Sequence, residues 1–226
     1  NLRHFIIEVS STIPDNHSVL DAGAGRQPYK KYFSHTDYVS TDIIQAYDDI
    51  GKELHSFTCS LDNIPINDLE YDVIISTQVL EHVKNPQKVI DEFFRILKPG
   101  GFLYLTCPQG WGIHAAPHHY FNFTKYGLEE LFKNSGFSSF EIEPRGGALW
   151  DLSKRLRTYP HYLLYQHTEK KEKFSFLYLT KKIIAYFLFI FTIPIFYFII
   201  PLLLFYTDFI DKKKDFTVGY RAIVKK

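Results

Sequence analysis

Two carboxylates frame a glycine turn near the start of the chain. Asp21 stands two residues before Gly23, Gly25 follows two residues after it, and Asp42 comes later. Glycines let a backbone turn sharply and leave room beside it for a ligand. Ser18-Val19-Leu20-Asp21 reads as the end of a short buried strand, and Pro28 suits the first turn of a helix, where a missing N–H costs nothing. Strand, turn and helix start together predict a nucleotide-type cradle, because free N–H groups at a helix N-terminus favour polar or anionic groups. Asp42, about 20 residues on, suits a ribose diol, since a carboxylate accepts from both hydroxyls. A dinucleotide would want a third glycine, in G-x-G-x-x-G. Pro28 holds that place here, and an acid at Asp21 is also foreign to that pattern.

A second group of reactive side chains lies in the stretch from Cys107 to Thr124, which carries His114, His118, His119 and Tyr120. Loops this long are uncommon unless they act as lids or binding loops. Histidine is the best-suited general base near neutral pH. His118 is the first candidate, with His119 and Tyr120 behind it; the competing reading is loop packing and hydrogen bonding at a helix entry. Four-residue histidine spacing would suit a metal on a helix. Pro117 disfavours a helix there, and no metal site is expected.

These groups need a frame. Val19–Asp21, Asp37–Thr41, Phe57–Leu61, Tyr71–Ser76 and Phe102–Thr106 read as strands. Leu2–Ser10 reads as an amphipathic cover helix and Pro28–Phe33 as a helical turn. Asn85–Leu97 reads as a helix opened by Pro86 and closed by Lys98-Pro99-Gly100-Gly101. Such alternation implies a parallel sheet with helices on both faces, and a ligand beyond the carboxyl ends of its strands. Asp21, Asp42, Ser60 and Ser76 fall near those ends and should converge on one crevice.

Composition sets bounds. The 226 residues fit one ordinary domain with additions, and a formal charge of +1 gives no field for nucleic acid. Two separated cysteines, Cys59 and Cys107, argue against a disulfide scaffold and fit a reducing compartment. There is no signal-peptide pattern, and the absence of methionine, even at position 1, suggests that the natural start is missing.

Three stretches carry a family resemblance. Val19-Leu20-Asp21-Ala22-Gly23-Ala24-Gly25 resembles the first motif of class I S-adenosylmethionine-dependent methyltransferases, in particular the type 11, ubiquinone-biosynthesis-like group. Tyr71 to Val83 resembles their fourth-strand motif, and Leu97 to Leu103 the turn into their fifth strand. The resemblance covers roughly residues 18 to 143. It implies a Rossmann-like α/β fold with a seven-stranded, mostly parallel sheet whose last strand is antiparallel, and S-adenosyl-L-methionine as cofactor. Gly23, Ala24 and Gly25 would face the methionine part of that cofactor, and Asp21 would help hold its amino group. Asp42 would bind the ribose hydroxyls, with Ile43 beside the adenine. Ser60 stands where relatives often carry an acid near the adenine; Leu61 and Asp62 follow it, and Asp62 could substitute or serve as a turn residue before Pro65. Thr77 and Gln78 in the fourth-strand motif complete the implied cofactor set. His118 to Leu131 resembles the H-D-Y-x-R-F-T-x-x-G-L-x-x-L stretch of a bacterial subgroup, with His119 and Asn122 where Asp and Arg are usual. Gln27 also departs from the first motif.

Residues 183–206 contain no charge, long enough to span a bilayer as a helix. Lys181-Lys182 and Lys212-Lys213-Lys214 flank them. In the implied fold this tract falls between the sixth strand, Phe137–Glu143, and the seventh, within Asp215–Lys225. A single crossing would put two strands of one sheet on opposite sides of a membrane. The expectation is therefore an in-plane or re-entrant anchor broken at Pro194 and Pro201. The domain division is a core over 1–144, an aromatic and apolar insertion over 145–214, and a final strand over 215–226. The resulting reading is a methyltransferase at the cytoplasmic membrane face. Its acceptor would be amphipathic or lipid-linked, most simply methylated on oxygen, and no nucleic acid is involved. The alternative is a catalytically silent methyltransferase-like subunit of a membrane-associated complex.

Overall fold

The computed structural model describes residues 2–43, 55–166, 183, 187 and 194–226. Much of the approach to the apolar tract, and 184–186 and 188–193 within it, lie outside the described residues. The chain divides into two compact units: Asn1–Arg145 with Gly219–Lys226, and Gly146–Val218.

The first unit is built on β1 (Ser18–Ala22), β2 (Asp37–Asp42), β3 (Phe57–Thr58), β4 (Tyr71–Thr77), β5 (Leu97–Pro108), β6 (Ser139–Pro144) and β7 (Gly219–Lys225). They form one seven-stranded sheet in the order β3-β2-β1-β4-β5-β7-β6. β1 to β5 pair in parallel, and β7 runs antiparallel to both β5 and β6. The chain moves outward from β1 to β3, then returns to pair β4 on the other side of β1. In open α/β sheets ligands bind beyond the carboxyl ends of the strands at such a reversal, here the ends of β1 and β4. Central β4 is buried on both faces, as its unbroken β-branched run requires.

Helices α1 (Leu2–Thr12), α2 (Pro86–Ile96) and α3 (Lys125–Ser135) cover the sheet. α1 buries Phe5, Ile6 and Val9 with Val19, Val73 and Ile75 on one face. On the other face, α2 and α3 bury Val89, Ile90, Phe93, Leu128 and Phe132 with Leu20, Ile74 and Leu103. The side chain of Asn85 caps α2 by accepting from Lys88 N–H. Thr124 caps α3 in the same way, and Gly136 ends it at φ +92°.

Three sequence expectations change. No α-helix follows the glycine turn: only a 3₁₀ turn, Lys30–Tyr32, lies between β1 and β2. Gly25 and Gln27, both at positive φ, carry the chain through turns, and Pro28 sits in a turn. β3 stops at Thr58, so Ser60 and Asp62 lie in the following turn rather than on a strand. β5 begins at Leu97, because Lys98-Pro99-Gly100-Gly101 enters the strand through a bulge opposite Tyr71–Val73.

In the second unit, α4 (Ala148–Gln166) starts on two carboxylates. Asp208 accepts from the N–H groups of Gly147 and Trp150, both at 2.8 Å, and Asp211 from Ala148 N–H at 2.7 Å. A π-helical turn, Pro194–Ile199, continues directly into α5 (Ile200–Thr207). Pro201 therefore does not break the helix as expected, since it stands in the opening turn of α5 just after the wider π geometry. Ser153 Oγ donates to Pro201 O at 2.8 Å, and the Trp150 and Phe205 rings meet edge-on at 5.5 Å. Among the described residues, no helix is long and apolar enough to cross a membrane.

At the amino end of the sheet, Asp72 joins three strands. It accepts from Ser18 N–H at 2.9 Å, Ser18 Oγ at 2.7 Å and Lys98 Nζ at 2.9 Å. Burial pushes its carboxyl up, but the Ser18 and Lys98 donors outweigh burial and hold it at about 2. The folded value lies below the unfolded one, so this network stabilises the fold above about pH 4 and is lost as pH falls toward 2. Urea midpoints measured from pH 5 to pH 2 should fall steeply, and Asp72→Asn should remove part of that slope; an unchanged slope in the variant contradicts this assignment.

Candidate active site

The glycine turn is held by its own backbone. Gly23 and Ala24 both donate to Thr41 O, at 2.9 and 3.1 Å, and Gln27 N–H donates to Ala24 O at 2.8 Å. Gly25 N–H donates to Asp42 Oδ2 at 2.8 Å, and Ile43 N–H to Asp42 Oδ1 at 2.7 Å. The turn thus does not offer these N–H groups to an anion, contrary to the cradle expected from a helix N-terminus. Its polar capacity lies in carboxylate acceptors. Asp42 is buried and fixed by two donors, and the remaining lone pairs on its oxygens can accept from a diol.

Asp21 is 1% exposed. One oxygen accepts from Tyr38 OH at 2.6 Å, while the other, Oδ1, has no hydrogen-bond partner. Burial, opposed by the Tyr38 hydrogen bond and reinforced by Asp42, pushes its carboxyl up to about 6. An orphaned buried acceptor of this kind fits an ammonium donor. Tyr38 was not among the residues anticipated; its register beside Val19, one strand over, was the available signal.

The other anticipated cofactor residues are less alike. Ile43 is half exposed, and Ser60 Oγ donates to Asp62 Oδ1 at 2.5 Å in an exposed turn. Leu61 belongs to the core, so only its main chain is available to a ligand. Thr77 ends β4, and Gln78 follows at φ +57° with its N–H on Thr106 O at 2.9 Å. Oriented with its oxygen toward donors, the Gln78 amide accepts from Cys107 N–H at 3.3 Å and Arg145 Nη1 at 3.1 Å. Its side chain is therefore spent on the end of β5. Cys59 and Cys107 are free thiols.

The histidine loop is tied to the segment after β4. Tyr120 and Phe121 N–H groups reach Glu81 O at 2.8 and 3.3 Å, and His82 Nδ1 meets His118 O at 2.6 Å. The exposed His118 ring pairs with Tyr120 OH at 3.3 Å. His119 has both nitrogens engaged: Nδ1 accepts from His114 N–H at 3.4 Å, and Nε2 donates to Phe121 O at 3.1 Å. That leaves His118, with Tyr120, as the candidate proton acceptor. Glu81 and His82 stand in the fourth-strand motif without an anticipated role. Glu81 is wholly buried, and burial pushes its carboxyl up to about 7. The signal for it was an acid inside the apolar run Val79-Leu80-Glu81-His82-Val83.

A sheet with this strand order, an acid-flanked glycine turn at the switch point and a second acid at the end of β2 define the class I methyltransferase fold. A family described as a methyltransferase domain matches residues 1–142, and the chain belongs to that family. It is a class I S-adenosylmethionine-dependent methyltransferase domain whose cofactor is S-adenosyl-L-methionine. An uncharacterized methyltransferase of Schizosaccharomyces pombe is 25% identical over 156 residues, 55% of this chain and 55% of that protein. A ubiquinone/menaquinone biosynthesis C-methyltransferase of Vibrio parahaemolyticus is 26% identical over 162 residues, 65% of this chain and 56% of that protein. The chain thus spans about half the length of these relatives. The structure of a putative sarcosine dimethylglycine methyltransferase from Galdieria sulphuraria shares the fold, with a TM-score of 0.61 and 16% identity, covering 100% of this chain and 85% of that one.

Gly23 tests the turn. It sits at φ +82°, and a Cβ there would lie 2.4 Å from Val79 Cγ2. Gly23→Ala should cost about 1–3 kcal/mol in denaturant unfolding and weaken cofactor binding; wild-type values for both would contradict this packing.

Proposed function

We propose that the chain transfers a methyl group to an oxygen of a small amphipathic or lipid-linked acceptor, a glycan, lipid or quinone precursor, at the cytoplasmic face of a membrane. The carrying observation is the apolar surface of the second unit. Phe198, Leu203 and Phe209 are 57%, 61% and 68% exposed, and Lys212 and Lys213 follow on the surface. Contiguous exposed apolar groups beside lysines suit a bilayer interface with anionic headgroups. The main chain supports entry and return on one side, because Arg145 N–H donates to Gly219 O at 2.8 Å where the insertion leaves and rejoins the sheet. The Vibrio relative's part in ubiquinone/menaquinone biosynthesis is in keeping with an amphipathic acceptor.

In this reading S-adenosylmethionine supplies, when bound, an electrophilic methyl group on a sulfonium. Asp21 Oδ1 receives the amino group, Asp42 the ribose hydroxyls, and the main chain of Gly23, Ala24 and Gly25 borders the methionine part. Ile43, Ser60, Leu61, Asp62, Thr77 and Gln78 line the remainder. His118 takes the acceptor's hydroxyl proton, with Tyr120 steadying its ring. Proton transfer by such a base contributes typically ~10²–10⁴-fold.

Calorimetry with S-adenosylmethionine tests the site. Wild type should bind and Asp42→Ala should not; binding unaffected by Asp42→Ala would sink the assignment. An ammonium on Asp21 requires its carboxylate form. Affinity should therefore fall as pH drops below about 6, and Asp21→Asn should bind weakly without that dependence. Labelled-methyl transfer into lipid and glycan extracts, with His118→Ala about 10²-fold slower in turnover, tests the acceptor class. Flotation with anionic vesicles tests the surface, and protein that stays with the soluble fraction counts against it.

A further inference from the structure

Glu81, His82 and His114 bring three ligand atoms within 4.8 Å of one another. They come from two segments: Glu81 and His82 from the 3₁₀ turn after β4, and His114 from the loop after β5. The histidine loop alone does not disclose this set, because the partners of His114 lie more than thirty residues upstream.

The hydrogen bonds around the cluster assign its protons. His82 Nδ1 faces His118 O at 2.6 Å, and His114 Nδ1 faces Gly112 O at 3.0 Å. A carbonyl only accepts, so both Nδ1 atoms carry the hydrogen and each neutral ring keeps its lone pair on Nε2. That is the arrangement of metal-binding histidines, whose second nitrogen donates to a carbonyl or carboxylate. His82 Nε2 lies 3.9 Å from Glu81 Oε1. Ligands about 2 Å from a tetrahedral zinc stand about 3.3 Å apart, so small side-chain rotations close the set. His119, although its ring packs 4.4 Å from that of His114, has both nitrogens on main-chain groups and stays outside it.

Glu81 points independently to a ligand. It is 0% exposed, and neither carboxylate oxygen has a hydrogen-bond partner. Its support from the protein is slight: its own main-chain N–H lies near the carboxylate without good hydrogen-bond geometry, and Arg145 acts on it only electrostatically, its guanidinium reaching the Gln78 amide instead. A buried carboxylate without donors is costly unless something compensates it. Two Nε2 lone pairs offer it no hydrogen, whereas a cation would satisfy all three groups at once.

We propose that Glu81, His82 and His114 bind one divalent transition-metal ion of the zinc class. Two imidazoles and a carboxylate suit zinc rather than magnesium, which prefers oxygen ligands and octahedral geometry. Three protein ligands leave a position open for water or a substrate oxygen. The site lies just past Val79, which packs against Gly23 in the cofactor turn. The assignment does not depend on the identity of the methyl acceptor.

The test is titration of zinc chloride into the full chain after chelator treatment, by calorimetry and indicator competition, with cobalt absorption as a second readout. Wild type should take up about one ion per chain, and cobalt should give the intense visible bands of a tetrahedral site. Glu81→Gln and His114→Ala should each weaken zinc by at least about tenfold. His114 lies on a loop, so its variant separates loss of a ligand from loss of folding, read by circular dichroism. His4→Ala, on an exposed turn of α1, should bind as wild type does. Absence of saturable zinc binding in the wild type, or wild-type affinity in a folded His114→Ala, overturns the proposal.

Discussion

The lock between Gly25 and Asp42 is the constraint on which the site depends. A glycine turn at the end of β1 can serve two chemistries. With free N–H groups and a following helix it cradles phosphates. Here Gly23 and Ala24 donate to Thr41, and Gly25 donates to Asp42. With those N–H groups spent, the edge of the sheet presents acceptors, Asp42 and the orphaned Asp21 Oδ1. Acceptors select ammonium and hydroxyl groups, which S-adenosylmethionine offers and a pyrophosphate does not. The single 3₁₀ turn between β1 and β2 is compatible with this chemistry, since the site does not need a helix dipole.

The two ends of the sheet treat carboxylates in opposite ways. At the amino end Asp72 has donors from Ser18 and Lys98, and its carboxyl is held at about 2. At the carboxyl end Asp21 and Glu81 keep unpartnered oxygens, and burial raises both. The first arrangement stabilises the fold; the second leaves unmet hydrogen-bonding capacity at the proposed cofactor and metal sites. The same strands carry both, so stability and function are separated along the strand axis.

Local patterns made much of this legible. The β-branched run Tyr71–Ser76 and the Asn85-Pro86 start each carry their own backbone chemistry, and each became the element it implied. The seven strands and the antiparallel last one followed from the family resemblance instead. The readings that failed depended on hydrogen-bond partners distant in sequence. Pro28 looked like a helix start because nothing local shows that Gly25 is held by Asp42. Glu81 passed as motif background because its lack of donors is visible only once the loop after β5 folds over it. His119, ranked behind His118 in the sequence, has both its nitrogens on main-chain groups, a pairing that no local pattern discloses.

The apolar insertion obeys a constraint set by the sheet. β6 and β7 are neighbours, with Pro144 opposite Tyr220 in the ladder. Whatever lies between them must therefore begin and end at one place. Among the described residues of the second unit, Asp208 and Asp211 cap α4, and Ser153 meets the Pro201 carbonyl. Its exposed aromatic and aliphatic side chains then remain to be accounted for. Burial among themselves would have required the mixed polar and apolar periodicity of a bundle helix. α5 has no such pattern, since from Ile200 to Tyr206 it is apolar all round. A helix of that composition does not choose one side to bury, and its described contacts with α4, at Ser153 and Trp150, leave apolar side chains exposed. That exposed apolar surface is what the proposed membrane-interface role would use.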